Sequence, residues 1–146
     1  MSFKSYYPKV LAFIFIFQFI VFVIFSISKK DFSFIYWSFF LILPLGILLY
    51  FGYLKVTLDN KGIQYSMPPF INKKLLWTDI EKYEIVKISP LNDFLGWGIR
   101  RSPKYGWSYI LDTNYAIAIV KKDGKKLTLS IDDKEKALTF LQSINK

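Results

Sequence analysis

Residues 10–27, VLAFIFIFQFIVFVIFSI, carry no charged side chain, and residues 32–54, FSFIYWSFFLILPLGILLYFGYL, carry none either. Only Ser28-Lys29-Lys30-Asp31 separates them. At about 1.5 Å per residue the first run makes a helix of roughly 27 Å, close to a hydrocarbon core of about 30 Å. The second reaches roughly 34 Å and fits with some tilt. Two such runs in succession predict a transmembrane helical hairpin over residues 1–54. Residues 55–146 are left as one small domain.

Gln18 and Ser38 interrupt the apolar runs, either as an interhelical polar contact or as tolerated polar residues. Pro44 and Gly46 suit a membrane helix, where a neighbouring helix can re-satisfy a freed carbonyl. Tyr36, Trp37, Tyr50 and Tyr53 lie near the ends of the second run, where an aromatic belt belongs. A signal peptide is the competing reading, with Lys4 and Lys9 as its charged start. The run exceeds the usual apolar length of about 7–15 residues, and Ser26-Ile27-Ser28 is a poor cleavage site, so a retained anchor is expected. Lys4 and Lys9 precede the first run, and Lys55, Lys61, Lys73 and Lys74 follow the second. The turn has Lys29 and Lys30, offset by Asp31. This bias predicts a two-pass protein of the inner (cytoplasmic) membrane, with both termini and the domain in the cytoplasm.

The net charge is +9, with no Cys and no His. Disulfides, cysteine zinc sites, thiol nucleophiles and the usual general base are therefore excluded. No Ser stands in a nucleophile elbow, and no carboxylate pair has a spacing that suggests acid–base work. Gly96-Trp97-Gly98-Ile99-Arg100-Arg101 lacks the third glycine and the strand–helix setting of a dinucleotide loop. The expectation is a non-enzyme with no catalytic, cofactor or metal residues. A basic domain held at a membrane is drawn to anionic headgroups, and nucleic acid is not an expected partner.

From Lys55 onward the pattern shortens to alternating segments broken by turns. Strands are predicted at 55–58, 63–67, 73–77, 80–88, 107–111, 115–121 and 126–131, with a long connection at 90–106. Asp123-Gly124 marks a hairpin. Asp132-Asp133-Lys134-Glu135 reads as a capping box with Asp132 as N-cap. Ala137, Leu138, Leu141 and Ile144 then follow at helical spacing. The predicted class is α+β, with seven antiparallel strands in one barrel closed by a C-terminal amphipathic helix.

Several motifs go with that order: Trp77-Thr78-Asp79-Ile80, Gly96-Trp97-Gly98-Ile99-Arg100-Arg101, Gly106-Trp107-Ser108-Tyr109, Asp123-Gly124-Lys125-Lys126 and Asp132-Asp133. Together they give a chain that resembles the small bacterial membrane proteins with two transmembrane helices followed by a PH-like domain. The resemblance implies a PH-like barrel over 55–146 and no defined reaction. The inositide-binding pattern of eukaryotic PH domains is not carried over, because Asn60, Gln64 and Tyr65 stand where basic residues are needed.

The connection at 90–106 holds the candidate site. Trp97, Arg100, Arg101, Lys104 and Trp107 combine rings with cations, which suits headgroup depth and phosphate contact. The structural alternative makes Phe94 and Trp97 a cap on the barrel, with Asp93 paired to an arginine. Lys121-Lys122 and Lys125-Lys126 flank a hairpin tip, either as a solvated turn or as a phosphate contact. The expected function is a membrane-anchored module contacting anionic lipid headgroups or a membrane protein. The alternative is a small structural or assembly subunit of a larger membrane complex, acting through its helices.

Overall fold

The structure, a computed structural model, describes residues 1–30 and 32–144. Asp31, counted above in the turn charge, lies outside the described residues. The chain forms two compact units: Tyr7–Gly52, and Met1–Tyr6 together with Tyr53–Lys146.

In the first unit, α1 (Lys9–Lys29) is the one described helix long and apolar enough to cross a membrane. It ends at Lys30, whose left-handed backbone (φ 54) lets its N–H bond the Ile27 carbonyl. The second apolar run does not form one continuous helix. It divides into α2 (Ser33–Trp37), a π-helical turn (Ser38–Ile42) and α3 (Leu43–Phe51). Pro44 explains the break: it has no N–H, and its ring crowds the carbonyl four residues earlier. The wider π turn before it relieves that conflict. The expected hairpin of two spanning helices is therefore corrected to one long helix and a shorter helical path interrupted by a π turn. Small residues face inward, with Ala12, Ser26, Ser38 and Gly46 all buried. A Cβ at Gly46 would meet Phe15 Cβ at 3.4 Å. Gln18 is exposed on α1, so Ser26, not Gln18, is the polar residue α1 buries.

The second unit holds nine strands in two sheets, where seven in one barrel were expected. The first sheet is an antiparallel meander of β1 (Ser2–Tyr6), β2 (Tyr53–Asp59), β3 (Gly62–Met67) and β4 (Ile71–Leu76). Alternation decides its inner face: Phe3, Leu54, Val56, Leu58, Ile63 and Tyr65 are buried while their strand neighbours are not all so. β1 had not been expected. Phe3 and Ser5 alternate inward on it, and its register pairs Phe3 with Val56 and Tyr6 with Tyr53. The second unit thus includes residues 1–6, which precede the apolar unit, as well as the chain from Tyr53 onward.

The second sheet contains β5 (Ile80–Lys87), β6 (Gly98–Ser102), β7 (Gly106–Ile110), β8 (Tyr115–Lys121) and β9 (Lys126–Ile131), in the order β5-β8-β9-β7-β6. A 3₁₀ turn at Trp77–Asp79 joins the two sheets, and the Trp77 indole donates to the Asp59 carbonyl at 2.8 Å. After Ile110 the chain turns back into β8 one strand away from β7, without pairing with it. β9 then slots between β8 and β7, running parallel to β7. A parallel pair and a second sheet rule out the single antiparallel barrel of PH type that the resemblance implies. β9 is buried on both faces, from Leu127 to Ile131. Its Ser130 hydroxyl accepts the Leu111 N–H at 3.1 Å, and its Thr128 hydroxyl donates to the Tyr105 carbonyl at 3.0 Å.

The connection at 90–106 is structured. It contains the short helix α4 (Pro90–Phe94) and all of β6. Asp93 accepts the Ser89 N–H at 2.7 Å, so it closes the turn of α4 rather than pairing with an arginine. Phe94 is buried with Ile88, Ile110 and Ala116, with Tyr105 against them. The C-terminal helix, α5 (Lys134–Ile144), buries Ala137 and Leu141. Its N-cap is Asp133, one residue later than expected: the Asp133 carboxylate accepts the Lys136 N–H at 3.0 Å.

Candidate functional site

The five residues singled out in sequence do not form one cluster. β6 and β7 are a hairpin whose register pairs Ile99 with Tyr109, Arg100 with Ser108, and Arg101 with Trp107. Directly opposed residues share a face, and successive residues alternate faces. Ile99, Arg101, Trp107 and Tyr109 therefore lie on one face, and Arg100 lies on the other. The Arg101 guanidinium sits 5.8 Å from the centre of the Trp107 ring, and Trp107 is half-exposed. The Arg100 guanidinium lies by the backbone of Gly96, where an added Cβ would meet it at 3.2 Å. Lys104 is in the hairpin turn, 4.7 Å from the centre of the Tyr105 ring. A hydrogen bond with the Tyr105 hydroxyl is the leading cause that holds the Lys104 ammonium pKa above the usual lysine value. Trp97 is half-buried, and its indole nitrogen is buried without a partner among the described residues.

The Arg101–Trp107 face borders a cleft of about 430 Å³ between the two sheets. The first sheet contributes Tyr65, Ile71 and Lys73, and the second contributes Ile99, Trp107 and Tyr109. The β8–β9 hairpin closes it with Lys121, Lys125 and Lys126. No carboxylate is among its described lining residues. Lys125 is paired with Asp123 at 3.0 Å, whereas neither Lys73 nor Lys121 forms a salt bridge among the described residues. At the back, the Tyr65 and Tyr109 rings lie 5.2 Å apart. Burial, and then the neighbouring Tyr109, push the Tyr65 hydroxyl up to about 12. Burial raises Tyr109 as well. Both phenols therefore stay protonated at neutral pH and present neutral O–H groups.

A smaller hollow of about 130 Å³ opens on the other side of the second sheet, lined by Lys82, Glu84, Lys104, Tyr105 and Thr128 among others. Here Glu84 offsets the lysines. Among the described residues no three His, Cys, Asp or Glu side chains come together as metal ligands.

β7 runs across the strands of the first sheet. The Asp112 N–H beyond its end bonds the Tyr6 carbonyl at the end of β1, Tyr109 packs on Tyr65 of β3, and Trp107 shares the cleft with Ile71 at the start of β4. The ends of β1 and the starts of β2 and β4 lie at one end of that sheet. That end carries a second basic–aromatic group: Lys4 Nζ lies 4.3 Å from the centre of the Tyr53 ring, and the Tyr6 and Tyr53 centroids are 6.3 Å apart. Phe70, in the β3–β4 turn, is largely exposed there.

Sequence reasoning missed Tyr65, Lys73 and Tyr109, because three distant strands bring them together. One signal was available. Tyr65 alternates inward with Ile63 and Met67, and a buried tyrosine hydroxyl needs a partner. Comparisons of the chain with protein-family models, curated proteins and solved structures gave no match.

Proposed function

We propose that this protein is a membrane-anchored, non-enzymatic module whose folded domain contacts anionic lipid headgroups. The observation that carries the reading is the meeting of two features at one end of the first sheet. Tyr6 and Tyr53, through which the chain leaves for the apolar unit and returns, pair across β1 and β2 there. β7 brings Trp107, with Arg101 against it, to the same end. Aromatic rings with cations beside them suit the interfacial layer of a bilayer.

With α1 spanning the bilayer, the pairing of β1 with β2 supports a return of the chain to the side it left. The lysine balance assigns that side to the cytoplasm of a cell whose inner membrane holds the protein. Pairing of β1 also supports retention of the N-terminal segment, since cleavage at residues 26–28 would remove Phe3 from the core. A weak headgroup contact suffices in such a tethered domain, because the tether supplies a high effective concentration.

The test uses the full chain in nanodiscs of neutral lipid, with increasing fractions of phosphatidylglycerol. The readout is the tryptophan fluorescence lost in the Trp107→Phe variant. Anionic lipid should shield Trp107 from acrylamide, and Arg101→Gln should weaken the shielding. Equal quenching at every lipid composition would defeat the proposal.

A further inference from the structure

We infer that the inter-sheet cleft is a binding site for a phosphomonoester group, held by Lys73, Lys121 and Lys125 with the Tyr65–Tyr109 pair behind it. This rests on the headgroup reading above and narrows it to one chemical class of headgroup.

The cleft has two chemistries in sequence. Its rim is cationic and supplied by three separate segments: Lys73 from β4, Lys121 from the end of β8, and Lys125 and Lys126 from the hairpin turn and the start of β9. Its wall is aromatic and aliphatic, formed by Trp107, Ile71 and Ile99. Two of the ammonium groups, Lys73 and Lys121, form no salt bridge with a carboxylate among the described residues, although the Asp123 carboxylate lies within electrostatic reach of Lys121. A phosphodiester carries one negative charge and has two of its oxygens esterified. A phosphomonoester carries about −1.5 to −2 at neutral pH and offers three acceptor oxygens. Ammonium donors converging from different strands match the second ion better, since each can take its own oxygen. The Tyr65 hydroxyl donates to Tyr109, which leaves the Tyr109 O–H as a neutral donor, so the back of the cleft repels neither form of the phosphate. A volume of about 430 Å³ leaves room beside one phosphate for the group that bears it. Trp107 and Ile71 give that group an apolar surface.

The same chemistry has two sources, a phosphatidic-acid-type lipid and a small soluble phosphomonoester. Native mass spectrometry of the full chain in neutral detergent separates them. Phosphatidic acid, phosphatidylglycerol and glycerol 3-phosphate are each titrated, against the unchanged chain and against the Lys73→Gln/Lys121→Gln and Tyr65→Phe variants. All three substitutions are at the cleft and leave Arg101 and Trp107 in place. We expect phosphatidic acid to bind about tenfold more tightly than phosphatidylglycerol. The lysine double variant should erase that preference while phosphatidylglycerol binding persists. Comparable binding of glycerol 3-phosphate, lost in the same variant, would support the site and assign it to the soluble source. Equal affinity for the two lipids in every variant would overturn the phosphomonoester site while leaving the headgroup reading intact. Absence of binding to all three ligands would overturn both.

Discussion

Tyr6 and Tyr53 are Cα partners in the β1–β2 ladder, although all of Tyr7–Gly52 lies between them in the chain. The apolar unit is therefore an insertion between two neighbouring strands of one sheet. The strand before it is as much part of the domain as the strand after it. Phe3, 2 % exposed, is the side chain that commits β1 to the core. Phe3→Ala should destabilise the domain by about 3 kcal/mol, the cost of a large buried cavity. Chemical denaturation followed by near-ultraviolet circular dichroism would measure it. A chain beginning at Tyr53 should lose at least as much, because it also bares the edge of β2.

The two arginines of the β6–β7 hairpin should behave differently despite being adjacent. Arg101 lies against Trp107 on the cleft side, and Arg100 points to the opposite face. Arg101→Gln should lower the affinity for phosphatidylglycerol nanodiscs by several-fold, within the range of one charge-assisted contact of about 1 kcal/mol. Arg100→Gln should change it less than twofold on the same scale. Equal losses would mean that general charge, not the Trp107 face, provides the contact.

Tyr65 gives a pH signature. Its hydroxyl is pushed up to about 12, while an unfolded tyrosine ionises near 10. The folded state thus favours the neutral form. The associated stability is fully present below pH 10 and is lost as pH rises from about 10 to 12. Ultraviolet titration should show a late-ionising tyrosine that disappears in Tyr65→Phe. The same variant should show a shallower loss of stability over that window.

The start of α5 tests the corrected cap. Asp133 accepts the Lys136 N–H, and that hydrogen bond leads the causes that hold its carboxyl below the usual value. Asp133→Ala should cost about 1 kcal/mol in a thermal melt, and Asp132→Ala should cost little. Because the Asp133 pKa is depressed on folding, its contribution is present above the ordinary aspartate pKa and is lost as pH falls through the folded value. The two variants should therefore converge in acid.

Much of this architecture was legible one strand at a time. β2, β3, β5, β8 and β9 follow from alternation and turn residues, as does the helical spacing of Ala137 and Leu141. What failed was information that a local pattern does not carry. β1 is five residues long and finds its partner only after the chain has traversed the whole apolar unit. β6 alternates Ile99 with Arg100 inside a Gly- and Pro-rich segment that looks like a loop. The parallel β7–β9 pair joins strands with β8 between them in sequence, and it brings Leu111 to Ser130, a contact that no periodicity announces. In the apolar unit, Pro44 fits a membrane helix by type, and the helical path widens to a π turn just before it. At the candidate site, Arg101 and Trp107 were visible as types. Strand pleating decides that Arg100 leaves their face and that Tyr65 and Lys73 join it.

Residues on both sides of the apolar unit build one sheet, and the proposed anchoring puts that sheet on one face of the membrane. Lys4 and Lys55 are exposed Cα partners across β1 and β2, and the chain has no native cysteine. Opposed residues of an antiparallel pair lie about 4.5–5.5 Å apart, within disulfide range. The measurement uses parallel samples of the Lys4→Cys/Lys55→Cys chain in native membranes: one is oxidised, and the others are labelled with a membrane-impermeant maleimide from one side or the other. The account predicts that both thiols label only from the cytoplasmic face and that oxidation joins them. Labelling from opposite faces, or two accessible thiols that never cross-link, would contradict it.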